Sequence, residues 1–189
     1  MTTGPRTIVL VRHAEKPSAA SSAQPASGVD EHGQPNTESL IPRGWQRAGA
    51  LAAVLGGDVP PPPFVRPTAV FAPAYPDGAL HRPGETITPL ARRLQVHLQT
   101  PVPKGQEEML VSGSLLALAG QNQDVLVCWE HHHLPALAAA LTQALGISTL
   151  PPNATLWPET DFSSALVFVR QQDSVYALTQ TTLKLLDGD

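Results

Sequence analysis

The stretch T-I-V-L-V-R-H-A-E, from Thr7 to Glu15, decides the architecture of this chain, and V-L-V-C-W-E-H, from Val125 to His131, repeats its form. Each is a short apolar run that breaks off into charge and histidine. The lack of apolar/polar alternation predicts strands buried on both faces, as in a parallel sheet covered by helices on either side. Open α/β sheets bind their ligands at the carboxyl ends of the strands. If both runs are parallel strands, Arg12, His13 and His131 converge on one such edge. An arginine and two imidazoles gathered there suit a phosphate, and one imidazole can act as a nucleophile.

Outward from these two runs, the remaining pattern alternates between the two periods. Residues 6–12 form the first strand. A helix begins at Pro42, carries Trp45, Ala48, Leu51, Ala52 and Leu55 at helical spacing, and closes at Gly56-Gly57. The four prolines Pro60 to Pro63 force an extended linker. A second strand is expected over Thr68 to Ala72, a helix over Thr86 to Leu94, a short strand over Gln95 to Leu98, and a helix over Gln106 to Ala119. After the strand Val125 to Trp129 comes an Ala-rich helix, His133 to Leu145, stopped by Gly146. Ala165 to Arg170 and Ser174 to Thr181 read as two antiparallel strands around a turn at Gln172-Asp173. This order predicts an α/β fold, a three-layer αβα sandwich with a mostly parallel central sheet, built as one domain over residues 1–189. Residues 17–39 are rich in Ser, Ala, Pro and Gln with almost no large apolar groups, and are expected to be a flexible loop beside the edge.

Composition narrows the class further. The chain has 189 residues, 42% of them hydrophobic, enough for a substantial core. One cysteine, Cys128, excludes an internal disulfide, and its place inside an apolar strand predicts a buried core residue rather than a reactive thiol. A net charge of −4 argues against general nucleic-acid binding, so any positive field for phosphate must be local. No apolar run approaches a membrane span and no charged leader precedes a long apolar region, so a soluble, cytoplasmic protein is expected. Nothing in the pattern specifies an oligomeric state.

Four landmarks in order give the chain a resemblance. V-L-V-R-H-A-E at Val9 to Glu15 resembles the Arg-His-Gly signature of the histidine phosphatase superfamily, also called phosphoglycerate mutase-like, with Ala14 in the glycine place. L-I-P-R-G-W-Q-R-A, Leu40 to Ala48, is similar to that family's helix-opening L-x-x-x-G-x-x-Q-A pattern, with Arg47 in the glutamine place. F-A-P followed by R-P-G-E-T, with Arg82 and Thr86, is similar to the segment of the second phosphate-binding arginine. Val125 to His131 is similar to the strand that delivers the second catalytic histidine.

The resemblance implies a phosphoglycerate mutase-like fold and a metal-independent phosphatase acting on a small phosphate monoester, with no cofactor. His13 would be the nucleophile and become phosphohistidine. Arg12 and Arg82 would bind the nonbridging oxygens, and His131 would donate to the transferred group. For Arg82 the alternatives are Arg66, Arg92 and Arg93. The proton donor to the leaving oxygen is open among Glu15, Glu108, Glu130 and Asp161, with Glu108 placed first, although Glu107 and Glu108 also read as the acidic first turn of a helix. Lys16, Arg43 and Trp45 are further candidates for substrate contact. His131-His132-His133 invites a metal reading, but adjacent residues leaving a strand are expected to diverge, so no metal is assigned. Two other readings stand beside the phosphatase: a phosphate-binding protein without turnover, and a mutase, for which the glutamate segment is lacking.

Overall fold

The computed structural model describes residues 4–17, 27–118, 121–172 and 175–189. Six strands form one sheet: β1 (Thr7–Arg12), β2 (Ala69–Phe71), β3 (Leu98–Gln99), β4 (Asp124–Trp129), β5 (Ser164–Arg170) and β6 (Tyr176–Thr182). Their order is β3-β2-β4-β1-β5-β6. The first four in that order are mutually parallel, and β5 and β6 run antiparallel at the far side. The fold is therefore the mixed, mostly parallel α/β sheet expected.

Burial on both faces follows from where alternate side chains go. Ile8, Leu10, Phe71, Val127, Trp129, Leu166 and Phe168 join one core, under α4 (Leu134–Leu145) and the segment opened by α3 (Glu107–Leu110). Val9, Val11, Val70, Leu126, Cys128 and Val167 join the other, under α1 (Pro42–Leu55) and α2 (His81–Leu94). Two layers of helix around one sheet give the three-layer sandwich. Cys128 is fully buried, and that burial raises its thiol pKa above the ordinary range, as a core residue requires.

Several element boundaries differ from expectation, each for a local reason. Helix α2 starts at His81, five residues before Thr86, because Pro83 falls in the first turn, where no intrahelical N–H is needed. Gln95, expected in a strand, closes that helix in the left-handed conformation at φ 57°, which moves β3 to Leu98–Gln99. The helix expected from Gln106 is regular only to Leu110; a wide π turn follows over Val111–Leu115 and a 3₁₀ turn over Leu116–Leu118. Ser112, Gly113 and Ser114, weak helix formers, occupy the irregular turn.

Of the segment expected to be a flexible loop, residues 18–26 lie outside the described residues. Residues 27–39 are tied to the domain by an isolated bridge between Val29 and Pro35, by the Trp45 indole N–H donating to the Val29 carbonyl at 2.9 Å, and by Ser39, whose hydroxyl donates to buried Glu85 at 2.6 Å.

Candidate active site

Strands β1 and β4 lie side by side with Arg12 opposite Trp129, so both chains leave the sheet at the same point. The His13 N–H donates to the Trp129 carbonyl at 3.1 Å, extending the ladder by one bond and holding His13 against the start of the next segment. The rings of His13 and His131 approach edge to face, with centroids 5.8 Å apart at 75°.

Local bonds orient His13. Its Nδ1 lies 2.8 Å from the Ala14 carbonyl, which can only accept, so Nδ1 carries the proton and Nε2 the lone pair. The Ala14 N–H in turn donates to Thr86 Oγ1 at 2.9 Å, and the Thr86 hydroxyl donates to the Arg82 carbonyl at 2.7 Å. One chain of bonds thus links the first turn of α2 to the end of β1. The Ala14 methyl packs against Leu40 and Ala48, so the residue in the glycine place fits its surroundings.

Backbone carbonyls hold the two arginines, and Arg82 Nη2 also lies 3.6 Å from the Glu38 carboxylate. Arg12 Nη1 donates to the carbonyls of Pro158, Glu159 and Asp161, and its guanidinium lies 3.9 Å above the Phe162 ring. Arg82 Nη2 donates to the Thr37 carbonyl at 2.6 Å. What remains is notable: Nε and Nη2 of Arg12, Nε of Arg82, and both ring nitrogens of His131 are buried and meet no partner among the described residues. Each unsatisfied buried polar group costs about 1–3 kcal/mol, more when charged. Donors of this kind from two guanidinium groups suit the oxygens of a tetrahedral oxyanion.

Electrostatics keep both imidazoles neutral. Burial is the main cause that lowers His13 to about 3; the charges of Arg12 and Arg82 and the neighbouring His131 add to it, against the Ala14 bond. Burial, then Arg12, His132 and Lys16, lower His131 to about 4. Burial also lowers Arg12, to about 10, which leaves it charged at neutral pH. A local cationic field around neutral imidazoles therefore exists in a chain of net negative charge.

Among the other candidate arginines, Arg66 pairs with Asp58 at 3.3 Å, Arg92 with Glu31 at 3.2 Å, and Arg93 donates to the Gly56 carbonyl at 3.1 Å. Of these and Arg82, the charge of Arg82 is the one that bears on His13.

Three of the four candidate proton donors are engaged elsewhere, and the fourth lies apart from the histidines. Glu15 receives Arg47 Nε and Nη2 at 2.8–3.1 Å, with Arg43 Nε at 3.3 Å. Asp161 accepts the Ser164 N–H at 2.9 Å, the Ser163 N–H at 3.1 Å and Asn153 Nδ2 at 2.8 Å; despite burial, these bonds hold it below the usual carboxylate range. Glu130 accepts Lys104 Nζ at 2.8 Å and the Tyr75 hydroxyl at 2.9 Å, and against the effect of burial these lower its pKa. Glu108 is exposed and lines a groove with Ala136, Ala139 and Ala140 of α4, apart from the histidine pair. Its neighbour Glu107 is the buried member of the acidic pair, accepting the Trp129 indole N–H at 2.9 Å and the Gly105 N–H at 2.8 Å.

Sequence reasoning missed Phe162, Tyr75, Lys104 and Glu159. Tyr75 stacks on His81 at 4.0 Å and stands in the loop after β2, within the segment whose resemblance points to Arg82; that was its available signal. Phe162 has none, since it meets Arg12 across 150 residues of chain. Lys16 and Arg43 line a cleft of about 520 Å³ together with Glu159, Thr160 and Phe162, whereas Trp45 lines a different cavity beside Asp30 and His81. His131 and His132 do not diverge: their ring centroids lie 3.8 Å apart, tilted at 39°.

No protein-family model and no curated protein matches the chain. Solved structures do. The protein histidine phosphatase SixA, in complex with tungstate, is 16% identical, with 93% of this chain and 96% of that chain covered at a TM-score of 0.53. The putative phosphohistidine phosphatase SixA from Agrobacterium tumefaciens is 18% identical, covering 94% and 99% at 0.48. A mycobacterial glucosyl-3-phosphoglycerate phosphatase is 14% identical, covering 94% and 98% at 0.47. The first of these likenesses establishes the fold: over nearly its whole length this chain has the phosphoglycerate mutase-like fold of the histidine phosphatases. Among the described residues, no helix is long and apolar enough to cross a membrane.

Proposed function

We propose that the protein is a phosphatase of the histidine phosphatase superfamily that hydrolyses a small phosphate monoester without a metal. One observation carries this reading: His13, fixed in the Nδ1–H tautomer and kept neutral, faces a second neutral imidazole among the unpartnered donors of Arg12 and Arg82. Such donors cost free energy in the resting protein and become satisfied when an oxyanion binds, which is how a preorganised phosphate site is built.

In the first step the Nε2 lone pair of His13 attacks phosphorus in line with the ester oxygen, the P–O bond breaks, and a phosphohistidine forms. Arg12 and Arg82 hold the nonbridging oxygens, and His131 donates a hydrogen bond to the group in flight. Water then attacks phosphorus, the P–N bond breaks, and Nε2 regains its lone pair as phosphate leaves. The cleft lined by Lys16, Arg43 and Phe162 adjoins Arg12 and receives the alcohol portion. The four candidate carboxyls are paired or face elsewhere, so the proton for the departing oxygen comes from water or from Glu159, which lines the same cleft, and esters with good leaving groups turn over best.

The test is rapid quenching with a radiolabelled aryl phosphate. The parent should incorporate label that survives base and is released by acid, and His13→Ala should incorporate none while keeping its fold. Binding of phosphate with no label and no turnover would make the protein a phosphate-binding module instead.

A further inference from the structure

The phosphate reading uses His131 at the phosphoryl group, whereas His132 and Glu159 lie outside its phosphate-binding set. One imidazole nitrogen of His131, one of His132 and a carboxylate oxygen of Glu159 lie within 4.8 Å of one another. The ring centroids of the two histidines lie 3.8 Å apart with a tilt of 39°, which brings neighbouring residues to one side of the chain. His131 is 3% exposed and both its ring nitrogens lack a partner among the described residues, while His132 and Glu159 are exposed. We propose that His131, His132 and Glu159 form a binding site for a borderline divalent cation of the zinc class, and that this cation inhibits the protein by withdrawing His131 from phosphate.

The donor set fits that class. Two imidazoles and one carboxylate are ligands that zinc accepts in tetrahedral sites with a fourth position left to water. A point shared by three atoms this close lies within about 2.8 Å of each, against about 2.0–2.2 Å for zinc–nitrogen and zinc–oxygen bonds. The contraction is small, and it falls on two exposed side chains that are free to rotate. Glu159 also supplies negative charge beside Arg12 and Lys16, without which a cation would be repelled there.

Competition follows from shared atoms and opposite charge. A ring bound to a cation through one nitrogen is displaced from the orientation that serves the phosphoryl group, and the cation would sit where the arginines are arranged for an anion. The inhibitory half of this proposal rests on the phosphatase reading; the binding half does not.

Zinc titrated into the whole protein in a phosphate-free, non-chelating buffer tests the binding half by calorimetry. The parent should bind one equivalent, His132→Ala and Glu159→Gln should each bind at least tenfold more weakly, and His133→Ala should bind as the parent does. Absence of binding, or equal binding by parent and His132→Ala, would overturn the site. Zinc should also inhibit hydrolysis of an aryl phosphate competitively, with the inhibition constant of Glu159→Gln, measured against its own zinc-free rate, raised at least tenfold. Binding that depends on His132 and Glu159 but leaves hydrolysis untouched would overturn the inhibitory half alone. Binding of that kind in a protein with no hydrolytic activity would leave the site standing and sink the phosphatase reading.

Discussion

Acidification should destabilise the protein through His13 by an amount that can be worked from its environment. In the folded state burial and nearby positive charge hold this imidazole at about 3, whereas in the unfolded chain it returns to about 6.5. Between those values the unfolded state binds the extra proton, so stability falls as pH falls, the loss beginning near pH 6.5 and ending near pH 3. At pH 7 the group contributes almost no difference. At pH 5 the unfolded chain gains about 1.5 pH units of protonation free energy, or about 2 kcal/mol, that the folded state cannot match. Urea unfolding of the parent and of His13→Asn at pH 7 and pH 5 isolates the effect, because every other titrating group is common to both proteins. The parent should lose about 2 kcal/mol more than the variant over that interval. Imidazole NMR supplies a second readout, with His13 in the Nδ1–H tautomer and not titrating above pH 5. Equal pH dependence of the two proteins, or a His13 resonance titrating near 6.5, would refute the burial and tautomer on which the nucleophile assignment rests.

Three further outcomes are expected. Replacing His131 with Ala should slow hydrolysis by about 10² to 10³, the cost of one transition-state donor, while label still accumulates on His13; a rate within a few fold of the parent would remove His131 from the chemistry. Arg12→Lys and Arg82→Lys keep their charge but lose the fork, so inorganic phosphate should bind at least tenfold more weakly to both and unchanged to Arg92→Lys; weakening in Arg92→Lys instead would shift the second arginine. With neither Glu108 nor Glu130 as the donor, an aryl phosphate should be hydrolysed far faster than an alkyl one, and Glu108→Gln and Glu130→Gln should lower both rates by the same factor or not at all. A selective loss on the alkyl ester in either variant would identify that residue as the acid.

What was legible in the sequence was the part of the fold that local chemistry dictates. Short continuous apolar runs, rich in β-branched residues and bounded by charge, read as strands buried on both faces, and β1 and β4 fall where those runs stand. Helical spacing from Trp45 to Leu55 and Gly146 after the Ala-rich run marked α1 and α4 for the same reason. His13 and His131 were readable because a residue that ends a parallel strand has one available destination, the carboxyl edge of the sheet. The choice of Arg82 rests on resemblance to a known motif and not on any local signal.

The tertiary structure alone decided which charges are free. Glu15 and Arg47, Glu130 and Lys104, and Arg12 and Phe162 meet because helices and loops from separate parts of the chain pack over one edge. A sequence records that a carboxyl is present but not which cation lies beside it, so Glu108 ranked first when pattern was the guide and faces the α4 groove in the fold. The physical reason is one of range. Strand and helix signals are carried by residues within a few positions of each other, whereas proton affinity and hydrogen-bond satisfaction depend on whatever packs within a few ångströms, often from more than a hundred residues away.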